Sequence, residues 1–181
     1  MSDPVSALNG ASYQGFATVR EVGPLGMITL RAKGLKSLDK AIKAVTGTKA
    51  PAQRRIEVNG DRACGWMSPD EYLLIVPYAE VSAALAKLAK SLAGEHHLAV
   101  DVSDARAVFR IEGDKAADVL RKLSPVDFDR LEPGELRRSR AAQVAAAMWQ
   151  QDQRFTLVCF RSVATYVMGL LTHSAQAGSE I

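Results

Sequence analysis

Two stretches of this chain repeat one another at a fixed distance, and few folds accommodate that. Trp66 is followed six residues later by the apolar run Tyr72-Leu73-Leu74-Ile75-Val76 and then by an amphipathic stretch from Val81 to Leu92. Trp149 is followed six residues later by Phe155-Thr156-Leu157-Val158-Cys159-Phe160 and an amphipathic stretch from Val163 to Leu171, a constant offset of 83 residues. Upstream, Leu30-Arg31-Ala32-Lys33-Gly34 resembles Phe109-Arg110-Ile111-Glu112-Gly113 at an offset of 79, which a four-residue insertion in an intervening loop reconciles. Solenoid repeats run to roughly 20–50 residues, so a period this long describes two similar half-domains.

The elements follow from periodicity. Met27–Leu30 alternates as a strand. Leu38, Ile42 and Val45 recur at helical spacing before Gly47 and predict a helix over 37–46. Asn59-Gly60 marks a turn between short strands, and Ser68-Pro69-Asp70 a turn that feeds the buried strand 72–76. Val81, Ala84, Leu85, Leu88 and Leu92 lie on one helix face that stops at Gly94. Strands at 98–102 and 107–111 follow, then a helix carrying Ala116, Val119, Leu120 and Leu123, broken at Ser124-Pro125. Residues 125–140 read as loop. Ala141–Ala147 would be helix on propensity, but the repeat sets Val144–Gln150 opposite the strand that leads into Trp66, so 143–150 is predicted to be a strand. A hairpin at 151–153, a strand at 155–161 and a helix at 163–173 complete the copy.

The fold class expected is therefore α+β: two ferredoxin-like (split βαβ) halves related by internal duplication, about 20–103 and 104–177, within one unit over 18–177, preceded by an aperiodic arm at 1–17. Trp66 and Trp149 are expected to be equivalent and to pack in the core.

Composition narrows the function. No apolar run approaches the roughly 18 residues of a membrane span, and the N-terminus has no basic-then-apolar signal, so no membrane association and a cytoplasmic location are expected. Net charge is +3 among 24% charged residues, and no aromatics are interleaved with a basic patch, which argues against nucleic acid. Cys64 and Cys159 each border an apolar run and are expected to be reduced and buried.

Chemistry-bearing motifs are sparse. The sequence contains neither GxGxxG nor GxxxxGK[ST], no Cys-x-x-Cys, no His-Glu-x-x-His and no Gly-x-Ser-x-Gly. His96 and His97 are adjacent and would point to opposite faces of a strand; His173 suits the carbonyl end of the last helix. Asp101, Asp104, Glu112 and Asp114 read as caps or solvated groups, not as an acid–base pair. No catalytic, cofactor-binding or metal-binding residue is assigned. Arg137, Arg138 and Arg140 stand out after Pro133-Gly134 as a guanidinium cluster suited to carboxylates of a partner chain.

The string Asp101-Val102-Ser103, Arg106 to Ala117, Leu120, Leu123 and Pro133-Gly134 resembles the folate-binding domain shared by the glycine-cleavage aminomethyltransferase and its relatives. The block from Trp66 to Pro77 and the block from Gln143 to Trp149 are most similar, within that superfamily, to the gamma subunits of heterotetrameric sarcosine oxidases. That resemblance spans about residues 20–175. It implies a non-catalytic subunit with a structural role, in a complex that demethylates sarcosine oxidatively to glycine and passes the one-carbon unit to tetrahydrofolate. It also implies alpha, beta and delta partner subunits, which would hold the FAD, FMN, NAD, tetrahydrofolate and zinc. Aminomethyltransferases carry paired aspartates in a Gly-rich segment where this chain has Trp149-Gln150-Gln151-Asp152-Gln153, and lone Asp152 does not restore such a site. The alternative expectation is an independent tetrahydrofolate-binding, aminomethyltransferase-like protein, which the same fold can host.

Overall fold

A computed structural model describes residues 4–181, so the first three residues of the arm lie outside the described part. The chain divides into two compact units: one is Leu25–Ser103, the other joins the residues up to Pro24 to Asp104–Ile181.

The first unit contains strand β3 (Gly26–Ala32), helix α1 (Leu38–Thr46), strands β4 (Ile56–Asn59), β5 (Arg62–Ser68) and β6 (Glu71–Val76), helix α2 (Val81–Ser91) and strand β7 (His97–Asp101). The strands form an antiparallel sheet in the order β4-β5-β6-β3-β7. Omitting the edge hairpin strand β4, this is the ferredoxin-like order, with the two helices packed on one face. Ile28, Leu30, Leu74, Val76, Ile42, Leu88 and Leu92 form the core beneath α1 and α2. Helix α1 stops where the sequence predicts: Gly47 is left-handed at φ 74° and its N–H donates to the carbonyl of Lys43. All six residues of β6 are buried, and after Glu71 its sequence from Tyr72 to Val76 is accordingly a continuous apolar run and not an alternation.

The second unit contains strands β1 (Ser12–Gln14), β2 (Thr18–Val22) and β8 (Arg106–Glu112), helix α3 (Ala116–Arg121), strands β9 (Leu136–Ala141), β10 (Val144–Gln151) and β11 (Arg154–Phe160), and helix α4 (Ala164–Ser174). Its sheet runs β1-β2-β8-β11-β10-β9. Here β2 occupies the place beside β8 that β7 occupies beside β3, so the closing strand of this half comes from the N-terminal end of the chain. Residues 20–24, read from sequence as the opening of the first half, lie in the second unit, and the segment read as an aperiodic arm contributes strand β1 to it, paired with β2. The arm is held by Glu21, a buried carboxylate that accepts from Ser6 Oγ at 2.7 Å, Gly10 N at 2.8 Å and Leu8 N at 3.1 Å. Phe16 N also donates to the Ala175 carbonyl at 3.0 Å. Gly15 permits that approach, since a Cβ there would lie 1.8 Å from the same carbonyl oxygen.

Two further expectations are corrected. Residues 136–141 are not loop but the edge strand β9, paired along its length with β10. Edge strands are often polar and charged, and three arginines in this one conceal its period of two. The tryptophans are not equivalent. The hairpins do correspond at an offset of 83, since Ser68 faces Glu71 as Gln151 faces Arg154. A bulge between Trp66 and Ser68, however, sets Trp66 opposite Tyr72 on the helix-covered face, whereas Trp149 lies opposite Thr156 on the face away from the helices. One extra residue in a strand turns every side chain beyond it to the other face. The 79-residue match also shifts: Leu30 pairs with Tyr72 and Ile111 with Phe155, so the structural equivalents are 81 apart and keep their core-facing parity. Val144–Gln150 is strand, as the repeat predicts and alanine propensity does not.

Candidate functional site

Cross-strand pairing determines which arginines meet. Arg137 pairs with Met148, a core residue, and so shares the helix-covered face, where its Nη2 meets Glu135 Oε1 at 2.8 Å. Arg138 and Arg140 pair with Ala147 and Ala145 on the opposite face and are exposed. The cluster of three is thus split by the period of two, with Arg137 on one face of the edge strand and Arg138 and Arg140 on the other.

A second arginine group, which the sequence reading missed, lies on that same outer face at the opposite end of the sheet. Arg20 on β2 is directly across from Arg110 on β8, and Glu112 on β8 is directly across from Arg154 on β11. Glu112 Oε1 is 3.5 Å from Arg20 Nη2 and 3.9 Å from Arg154 Nη1, while Arg154 Nη2 reaches Asp152 Oδ2 at 3.2 Å. The signal available in sequence was only the alternation of β8, which puts Arg110 and Glu112 on one face. Arg20 is 90 residues away, and no local pattern links the two.

The second unit also holds an open cavity of about 350 Å³ lined by Gly113, Asp114, Ala117, Phe128, Gln150, Gln153 and Phe155. The Phe128 and Phe155 rings meet edge to face, 5.6 Å apart. Two amides and one carboxylate can orient a ligand by hydrogen bonds, but a lone carboxylate with no basic or nucleophilic neighbour in the lining makes no acid–base or nucleophile–base pair. Asp152 is not part of this lining; its carboxylate is engaged by Arg154 in the β10–β11 turn. The residues present therefore do not fit a paired-carboxylate site.

His97 is in β7 with Nδ1 2.8 Å from the Glu95 carbonyl oxygen, His96 precedes that strand, and His173 is in the last turn of α4. Among the described residues, no group of three or more His, Cys, Asp and Glu side chains is placed to hold a metal ion. Both cysteines are buried and unpaired with each other. Burial, with Glu57 and Asp39 adding to it, pushes the Cys64 thiol far up; burial raises Cys159 to about 11 against the opposing pull of Arg106. In the folded chain iodoacetamide at pH 8 should leave both thiols unmodified over a time in which free cysteine reacts fully, with two adducts appearing after denaturation. Because the folded thiols ionise at higher pH than the unfolded ones, the folded state binds more protons between about pH 8.5 and 11. Stability should fall as pH rises through that window, and replacing Cys159 by Ser or Ala should flatten the fall in a denaturant series.

The sequence model of the "Sarcosine oxidase, gamma subunit family" matches residues 35–177. The chain belongs to that family. Sarcosine oxidase subunit gamma from Corynebacterium sp. (strain U-96) is 35% identical over 159 residues, covering 82% of this chain and 75% of that one. The corresponding subunit from Arthrobacter sp. is 31% identical over 156 residues, 82% of this chain and 74% of that one. Among solved structures, a chain of the heterotetrameric sarcosine oxidase from Corynebacterium sp. U-96, in complex with pyrrole 2-carboxylate, matches 91% of this chain and 87% of its own with a TM-score of 0.80 and 27% identity. The glycine cleavage system aminomethyltransferase T from Bartonella henselae matches 91% of this chain and 47% of its own at a TM-score of 0.69, with 12% identity. That last likeness is one of fold. It is consistent with the two ferredoxin-like halves described for this chain.

Proposed function

We propose that this chain is the non-catalytic gamma subunit of a cytoplasmic heterotetrameric sarcosine oxidase, assembled with alpha, beta and delta subunits that carry out the oxidative demethylation. The likeness to a chain of such an oxidase over 91% of the present chain, at a TM-score of 0.80, carries this reading. FAD, FMN, NAD, tetrahydrofolate and zinc then belong to the partner subunits, and this chain works by contact. The alternative, an independent tetrahydrofolate-binding transferase, is disfavoured because the likeness to an aminomethyltransferase is one of fold alone. No helix among the described residues is long and apolar enough to cross a membrane.

Exposed apolar residues on β7, Leu98 and Val100, are of the kind an assembling chain presents at a sheet edge. Arg138 and Arg140, with Arg137 beside them, are proposed partner contacts: the triple alanine variant should keep its fold but assemble more weakly in size-exclusion chromatography with the other subunits. Expressed alone, the chain should be colourless and show no sarcosine oxidase activity; expressed with the other subunits it should elute with them. A stoichiometric flavin spectrum on the isolated chain, tight binding in a tetrahydrofolate titration, or failure to co-elute would each count against this reading.

A further inference from the structure

The outer face of the second unit's sheet concentrates positive charge at one corner. Arg20 and Arg110 are direct cross-strand neighbours, and Arg154 is diagonal to Arg110 on the next strand. Like charges placed directly across a sheet repel. Two carboxylates, Glu112 and Asp152, serve these three guanidinium groups, and neither reaches Arg110, which has no hydrogen bond or ion pair among the described residues. Arg20 Nε is buried without a hydrogen-bond partner. Partial burial, then Arg154 and Arg20, lower the proton affinity of Arg110 against the pull of Glu112. A guanidinium left in such surroundings calls for an anion that the chain itself does not supply.

We propose that Arg20, Arg110 and Arg154 form a docking site for an acidic segment of a partner subunit, whose carboxylate is seated against Arg110 between the other two. The proposal rests on the subunit reading above and names the surface through which it acts. Charge complementarity selects the occupant: an excess of planar, fixed cations matches a carboxylate bidentately and rejects a basic surface. The form of the site favours a group delivered by a protein chain over a free ion. None of the three arginines lines the cavity; all three are half-buried side chains outside it, and Arg20 and Arg154 remain partly exposed, so a small anion there would stay in competition with water. A carboxylate that belongs to a docked chain is held there by the remainder of the interface.

Arg110→Met keeps the apolar stem and removes the charge, and Arg20→Gln with Arg154→Gln removes the flanking pair. The isolated Arg110→Met chain should melt at or above the parent's temperature, because it relieves repulsion without opening the core. Assembly with the co-expressed sarcosine oxidase subunits, measured by titration at about 50 mM and about 500 mM NaCl, should be weakened about tenfold or more by Arg110→Met at the lower salt. The parent should also lose affinity with salt more steeply than the variant. Variants that assemble like the parent at both salt concentrations would overturn the proposal while leaving the subunit reading intact. A parent chain that does not assemble at all would overturn both. Inorganic phosphate that saturates the isolated parent but not Arg110→Met, with assembly unchanged, would make the cluster a small-anion site and likewise overturn docking.

Discussion

Replacing Phe109 by alanine should cost about 3–5 kcal/mol of unfolding free energy, the range for deleting a buried aromatic side chain from a packed core. Phe109 has no solvent exposure and sits at the centre of the second unit's core, on a strand flanked by β2 and β11, with Leu157 directly across from it. Alanine would leave a cavity that two flanking strands and the helices above cannot close without losing their own pairing. A fall in thermal midpoint of about 10 °C or more is expected by calorimetry. Phe160→Ala provides the contrast. That ring is about half exposed, with the Arg106 guanidinium 4.2 Å from its centroid, so its removal should cost no more than about 1 kcal/mol. Equal losses from the two variants would mean that the core is not organised as described.

The second large effect is expected at Glu21. Its carboxylate accepts three hydrogen bonds from the segment 6–10, two of them from backbone N–H groups. Glu21→Ala strands those donors beside a buried hollow, and hydrogen bonds to a charged group contribute about 1.5–3 kcal/mol each without being additive, so a loss of about 3 kcal/mol is expected. Glu21→Gln should not rescue it. The amide keeps the shape but places an N–H₂ against either the Leu8 N–H or the pair formed by Gly10 N–H and Ser6 Oγ. Rapid amide exchange at Leu8 and Gly10, with early proteolysis of the N-terminal segment, would report the release. Unchanged protection in both variants would show that Arg161, which donates to the Val5 and Ser6 carbonyls at 3.0 and 3.2 Å, anchors the segment alone.

Much of the architecture was legible because it is written in short periods. Leu38, Ile42 and Val45 place α1, and Val81, Ala84 and Leu88 place α2, since a 3.6-residue period needs no partner to be recognised. The alanine-rich β10 was legible only through the repeat: residue by residue it favours a helix, and its copy in the first half does not. Edge strand β9 was hidden by Arg137, Arg138 and Arg140, whose charges suit a sheet edge as well as a loop. The three do not share one face of β9, because adjacent strand residues face opposite ways.

From the order of its residues alone, this chain determined its duplication, its helices, most of its strands and the want of a nucleophile or metal motif, all of which depend on spacing along the backbone. Only the tertiary structure decided register and membership. It put β2 beside β8 in the place that β7 holds beside β3, turned Trp66 and Trp149 to opposite faces through one bulged residue, and gathered Arg20, Arg110 and Arg154 from three strands. The physical reason is that strand pairing satisfies backbone hydrogen bonds between segments far apart in sequence. Which side chains become neighbours is then set by the partner strand, and a strand's own sequence carries little information about that choice.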